Sequence, residues 1–231
     1  MGGCIGTLYG VGVGPGDPEL ITVKAKRILE KCRVLAVPVT HRGNALALDI
    51  ARGVTDLSGK ELLELPFPMT DDRTTLGRNY EAQAARVAQA LESGEDVAFV
   101  CLGDVSVFST FSSVGEILMN KGYPVEMVPG VTSFCAAACA LKISLTAMDE
   151  PLHILPAGFA DIENALALPG VKVLMKSAGR FPAVRRAVSA SGRLACAAIN
   201  CGLEGERLYR DIADMPEDPG YFTTIIVKER P

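Results

Sequence analysis

The sequence predicts an α/β protein built as two α/β domains, and three observations carry that expectation. Short apolar runs alternate with amphipathic stretches, the signature of strands joined by helices in an open, mostly parallel sheet. One of those runs, Val97-Ala98-Phe99-Val100-Cys101 within Asp96 to Leu102, is continuously apolar, as in a parallel strand buried on both faces. The texture then changes near Gly122-Tyr123-Pro124, and beyond Pro151 strands and helices mix in an α+β manner. The 231 residues suit one large domain or two small ones. The boundary is drawn at 121/122, with Asp149-Glu150-Pro151 as the second choice.

Taken in order, Thr7 to Val13 reads as a strand that runs into glycines, and Leu20 to Lys31 as a helix with Leu20, Val23, Ile28 and Leu29 on one face. Arg33 to Val37 is a strand stopped by Pro38, Asn44 to Arg52 a helix, and Glu61 to Leu65 a third strand. A loop from Pro66 to Thr75 precedes a long helix from about Leu76 to Ser93, closed by Gly94. After the apolar strand, Val114 to Asn120 is helical. A short strand then follows Pro124, with an Ala-rich helix from Thr132 to Leu141. In the remainder, strands are expected at His153–Pro156, Val171–Met175, Ala195–Asn200 and Thr223–Val227.

Composition narrows the function classes. The net charge is −4, which argues against a general nucleic-acid or anionic-membrane binder. No apolar run reaches the roughly 20 residues of a membrane helix, and Met1-Gly2-Gly3-Cys4 lacks the basic and apolar regions of a signal peptide. The seven cysteines form no CxxC pair and are odd in number, as expected for reduced thiols in a cytoplasmic protein. Cys135 and Cys139, one turn apart among alanines, read as small core residues, and no metal site is expected.

Three loops fall at predicted strand ends. Gly10-Val11-Gly12-Val13-Gly14-Pro15-Gly16-Asp17 fails the GxGxxG spacing from each starting glycine, and no GKS or GKT occurs. It is therefore a close-approach turn at a strand's C-terminal end, where open α/β sheets place ligands, or a tight turn alone. Asp104, after Leu102-Gly103, stands either as an acceptor for a ligand or as the cap of the next helix. In Val128-Pro129-Gly130-Val131-Thr132-Ser133-Phe134, Thr132 or Ser133 is placed to cap the Ala-rich helix, or its first-turn amides to bind a carboxylate or carbonyl.

Together, the stretch from Leu8 to Ala25 with Gly12-Val13-Gly14-Pro15-Gly16-Asp17-Pro18, the Leu102-Gly103-Asp104 tip with Phe108-Ser109-Thr110, and Pro129 to Phe134 resemble the tetrapyrrole (corrin/porphyrin) methylase family. Pro66-Phe67-Pro68-Met69 and Leu174-Met175-Lys176 add to the likeness, which runs from about Thr7 to Val227 and favours the C20-methylating subgroup of cobalamin biosynthesis. The resemblance implies two α/β domains of class III methyltransferase type, with S-adenosylmethionine in the cleft between them and S-adenosylhomocysteine as product. It implies cofactor contacts from Pro15, Gly103, Asp104, Val105, Phe108, Thr132, Ser133, Met175 and Gly202, with the adenine near Tyr221 to Thr224. It also implies a homodimer acting on a tetrapyrrole, either precorrin-2 or cobalt-factor II. The alternatives are methylation at another ring carbon, a relative that modifies a protein residue or ribosomal RNA, or a non-catalytic tetrapyrrole binder. Two departures stand out: Val105 where the family usually has proline, and Asn79-Tyr80 where its long helix commonly carries a tryptophan.

Methyl transfer from a sulfonium to an already nucleophilic meso carbon needs mainly in-line positioning, which supplies about 7–11 kcal/mol. The absence of a Ser-His-Asp set suits that chemistry. A substrate rich in carboxylates calls for basic side chains. The candidates are His41, Arg42, Arg73, Arg78 and Lys176, with Asp104 and Lys176 as candidates for handling the proton.

Overall fold

The computed structural model describes residues 4–39, 45–68, 70, 72–157, 161–177 and 179–229. The chain divides into two units, residues 1–132 and 133–231.

The first unit holds five parallel strands: β1 (Leu8–Gly12), β2 (Val34–Val39), β3 (Glu61–Pro66), β4 (Val97–Cys101) and β5 (Val125–Val128), in the order β3-β2-β4-β1-β5. β1 and β4 are buried throughout, which is why both read as unbroken apolar or glycine runs rather than alternating ones. Strand β2 does not stop at Pro38 as expected. Its pairing with β4 ends at Ala36↔Phe99, and only β3 accompanies it through Pro38↔Leu65 to Val39↔Pro66. A proline lacks a donor but is tolerated where one side of the strand is unpaired.

Four helices accompany this sheet: α1 (Val23–Lys31), α2 (Leu46–Arg52), α3 (Arg73–Glu92) and α4 (Thr110–Asn120). Their starts are set by side-chain caps, which explains where they differ from expectation. Asp17 caps a 3₁₀ turn over Pro18–Leu20, and Thr22 then accepts from Ala25 N at 3.1 Å to start α1 afresh. Asp72 accepts from the amides of Thr74 and Thr75, so α3 begins ahead of Leu76. Ser109 accepts from Phe111 N, so α4 begins at Thr110 and not at Val114. Helices α3 and α4 pack together and bury Ala84, Val87, Leu91, Phe111, Val114 and Leu118 in a core with Phe99. An aromatic row, Tyr80–Phe67–Phe99–Phe111, crosses that core with centroids 5.9, 6.4 and 5.5 Å apart.

The boundary expected at 121/122 falls too early. Gly122-Tyr123-Pro124 is the turn into β5, which pairs with β1 from Leu8↔Val125 onward and so belongs to the first sheet. The second choice, Asp149-Glu150-Pro151, lies inside the second unit.

The second unit contains α5 (Ser133–Ala140), β6 (Leu152–Pro156), α6 (Ile162–Ala167), β7 (Val171–Met175), α7 (Phe181–Ala190), β8 (Leu194–Ile199), β9 (Arg207–Tyr209) and β10 (Thr223–Lys228). The sheet order is β6-β7-β10-β8-β9; β6 and β7 are parallel, while β10 lies antiparallel between β7 and β8. This mixed sheet matches the α+β texture, although the three-residue β9 carried no legible signal. Its core gathers Leu174, Phe181, Val184, Val188, Ala197, Ile199, Ile225 and Val227. Helix α5 buries Phe134, Ala137 and Ala138. That phase turns Cys135 and Cys139 outward, and both are exposed rather than core residues. The seven cysteines are free thiols. No helix is long and apolar enough to cross a membrane among the described residues.

Candidate cofactor site at the strand tips

Because β4, β1 and β5 are adjacent and parallel, their C-terminal ends bring three loops together at one edge of the first sheet. The loops are fastened backbone to backbone. Gly103 N donates to Gly14 O at 2.7 Å, Gly14 N returns a bond to Gly103 O at 3.2 Å, and Val13 N donates to Cys101 O at 2.9 Å. Both glycines sit at positive φ, +80° and +71°. The approach is close enough that a Cβ on Gly12 would lie 2.6 Å from Gly130 N and 2.7 Å from Gly103 O. A Cβ on Gly130 would lie 2.2 Å from Gly103 O. Pro15 is buried beside this knot.

Asp104 stands at the centre and is 8% exposed. It does not cap α4, a task that falls to Ser109. One carboxylate oxygen accepts from the Ser106 amide at 2.8 Å and from the Ser106 hydroxyl. The other accepts from Gly130 N at 2.9 Å. Burial pushes the carboxyl up, but the Ser106 hydroxyl and the two amides prevail and hold it below the usual aspartate range. A carboxylate so engaged is ionised and a poor proton acceptor. Val105 is 1% exposed and belongs to the core, while Phe108 is 41% exposed at φ +50°, a conformation uncommon for a non-glycine residue.

Thr132 occupies the residue before α5 but does not cap it: its buried hydroxyl has no hydrogen-bond partner. An orphaned buried hydroxyl costs free energy unless something else satisfies it. In the second unit, antiparallel pairing sets Met175 against Thr224 and Ile199 against Thr223, and Asn200 N donates to Phe222 O at 2.9 Å. One end of this sheet thus collects Met175, Lys176, the Asn200–Gly202 turn and Tyr221 to Thr224. Ser133, the first residue of α5, joins them through a 3.4 Å hydroxyl contact with Thr224. Lys176 and Asn200 hold φ of +56° and +51°, two strained positions that sequence spacing could not reveal. Burial pulls the Lys176 amine below its ordinary value. Gly202 N is already engaged by Glu206 Oε2 at 2.7 Å.

Of the basic residues expected near substrate, Arg73 and Arg78 are exposed on α3, which leaves the same edge of the first sheet as the glycine loops. His41 and Arg42 lie outside the described residues. His153 bonds the Pro169 carbonyl at 3.0 Å. The thiol nearest the tips, Cys101, is pushed up to about 12 by burial and is no nucleophile. No cluster of three or more metal-ligating side chains occurs among the described residues.

This two-sheet α/β fold is shared with solved methyltransferases. The profile of the Tetrapyrrole (Corrin/Porphyrin) Methylases matches residues 7–215. The chain is 36% identical to the cobalt-precorrin-2 C(20)-methyltransferase of Salmonella typhimurium over 97% of both chains. It is 34% identical to the precorrin-2 C(20)-methyltransferase of Sinorhizobium sp over 98% of both. Uroporphyrin-III C-methyl transferase from Thermus thermophilus, solved with S-adenyl homocysteine, superposes with a TM-score of 0.69 at 21% identity, covering 96% of this chain and 92% of that one. The chain belongs to the tetrapyrrole (corrin/porphyrin) methylase family.

Proposed function

We propose that this chain is an S-adenosylmethionine-dependent methyltransferase that methylates C20 of precorrin-2 or of its cobalt-containing counterpart in cobalamin biosynthesis. The observation that carries the reading is the buried, unpartnered Thr132 hydroxyl beside a cradle in which Gly12 and Gly130 leave no room for side chains and Gly103 holds a positive φ. S-adenosylmethionine offers a carboxylate, ribose hydroxyls and an adenine, groups that pair with backbone amides and hydroxyls. The relatives' C20 specificity and the S-adenyl homocysteine held by the Thermus protein support the same reading.

When bound, the cofactor supplies a methyl on a cationic sulfur. The residues of this chain hold and orient. This reading assigns Pro15, Gly103, Asp104, Val105, Phe108, Thr132, Ser133, Met175 and Gly202 to the cofactor, Val105 through its backbone because its side chain lies in the core. Gly202 contributes through its carbonyl or surface, since its amide is engaged internally. Asp104 acts by fixing the loops, and the proton released from C20 after transfer is assigned to Lys176, whose amine burial holds below its ordinary value. Arg73 and Arg78, with His41 and Arg42, meet the substrate's carboxylates. The enzyme works in the cytoplasm as a homodimer, without nucleic acid, membrane or metal partners of its own.

Anaerobic incubation with S-adenosylmethionine and each dimethylated substrate, read by mass spectrometry, tests the proposal. Gain of one methyl on the cobalt form or on the free form assigns the substrate. No gain on either, with cofactor bound, means a methylase of another position. No cofactor binding overturns the reading.

A further inference from the structure

The Asp104–Val107 segment is a β-turn closed by Val107 N donating to Asp104 O at 3.4 Å. Inside it, Ser106 donates to Asp104 twice, by amide and by hydroxyl, while the other Asp104 oxygen reaches across to Gly130 N. Gly130 in turn abuts Gly12 and Gly103 so tightly that a methyl group could not fit between them. The Ser106 hydroxyl is therefore the outermost member of a chain that runs through Asp104 to the β5 loop. Nothing else on the turn does this work: Val105, second in the turn, brings an apolar side chain to the core and leaves its own φ unlocked.

We propose that Ser106 is a positioning residue for cofactor binding, acting through Asp104 to hold Gly130 and the segment leading to Thr132. This rests on the reading that these tips hold S-adenosylmethionine.

Calorimetric titration of the purified full chain with S-adenosylhomocysteine tests this. Ser106→Ala weakens binding about tenfold, the scale of one hydrogen bond to a charged group. Ser106→Thr, which keeps the hydroxyl, stays within about twofold of the parent. Circular dichroism checks that each variant folds. Parent-like binding by Ser106→Ala overturns the inference, and so does a loss by Ser106→Thr as large as that by Ser106→Ala. Absence of binding by the parent chain overturns the cofactor reading instead, which keeps the two failures distinct.

Discussion

Gly14 and Gly103 bond to each other in both directions, at 2.7 and 3.2 Å, across the ends of strands that are already neighbours in the sheet. The consequence is that the tips of β1 and β4 cannot move independently. With Asp104 bonded to Gly130, the tip of β5 is tied to the same knot, so the three tips form one rigid unit rather than three separate loops.

That rigidity makes Gly130 intolerant. A Cβ there meets the Gly103 carbonyl and the Gly12 backbone, none of which can rotate away. Gly130→Ala is expected to cost about 1–3 kcal/mol of stability through overpacking and to abolish measurable cofactor binding. Gly77, exposed in α3 with open space around it, gives the opposite result: Gly77→Ala stabilises by about 0.5–1 kcal/mol. Thermal unfolding and cofactor titration of the pair check both outcomes.

Thr132→Val separates capping from ligand binding. Loss of a true cap costs about 1 kcal/mol, whereas this hydroxyl makes no bond within the protein. The expected result is unchanged or slightly higher stability, within about 0.5 kcal/mol, together with a several-fold loss of cofactor affinity. Lower stability with intact affinity would return Thr132 to the role of a cap.

Arg73 and Arg78 are exposed, and their replacement leaves the core untouched. The double alanine variant should raise the substrate KM several-fold and make it less sensitive to salt, with cofactor affinity unchanged. An unchanged KM removes both from the substrate surface.

Acid stability depends on Asp96. Its Oδ1 accepts from Thr7 N at 2.8 Å and its Oδ2 pairs with Lys31 Nζ at 2.7 Å, joining the starts of β1 and β4 to the end of α1. Burial pushes this carboxyl up, but the Lys31 ammonium and the Thr7 amide together hold it below its ordinary value. A carboxyl depressed in the folded state stabilises fully above its unfolded value of about 3.9, and that contribution is lost as pH falls through the folded one. The melting temperature of the parent chain should therefore fall below about pH 4. The gap between it and Asp96→Asn, wide at pH 7, should close toward pH 3, as followed by circular dichroism.

The alternation of strands and helices, the buried parallel strand at Val97–Cys101 and the glycine loops were legible along the chain because each is a local pattern. Strand periodicity, caps and turn residues act over a few neighbours. The resemblance from Thr7 to Val227 likewise identified the family from motifs that stand in the chain as written. What the chain could not display are relations that exist only after folding. β5 belongs to the first sheet because of its pairing with β1, and Pro38 is accommodated because β4 has already parted from β2. The exposure of Cys135 and Cys139 follows from the face that α5 buries. Asp104 was visible as a residue at a strand tip, but its task was decided by Ser106 and by Gly130, 26 positions away. A hydrogen bond between distant backbone and side chain is a property of the assembled sheet, because only the sheet brings its two ends within reach.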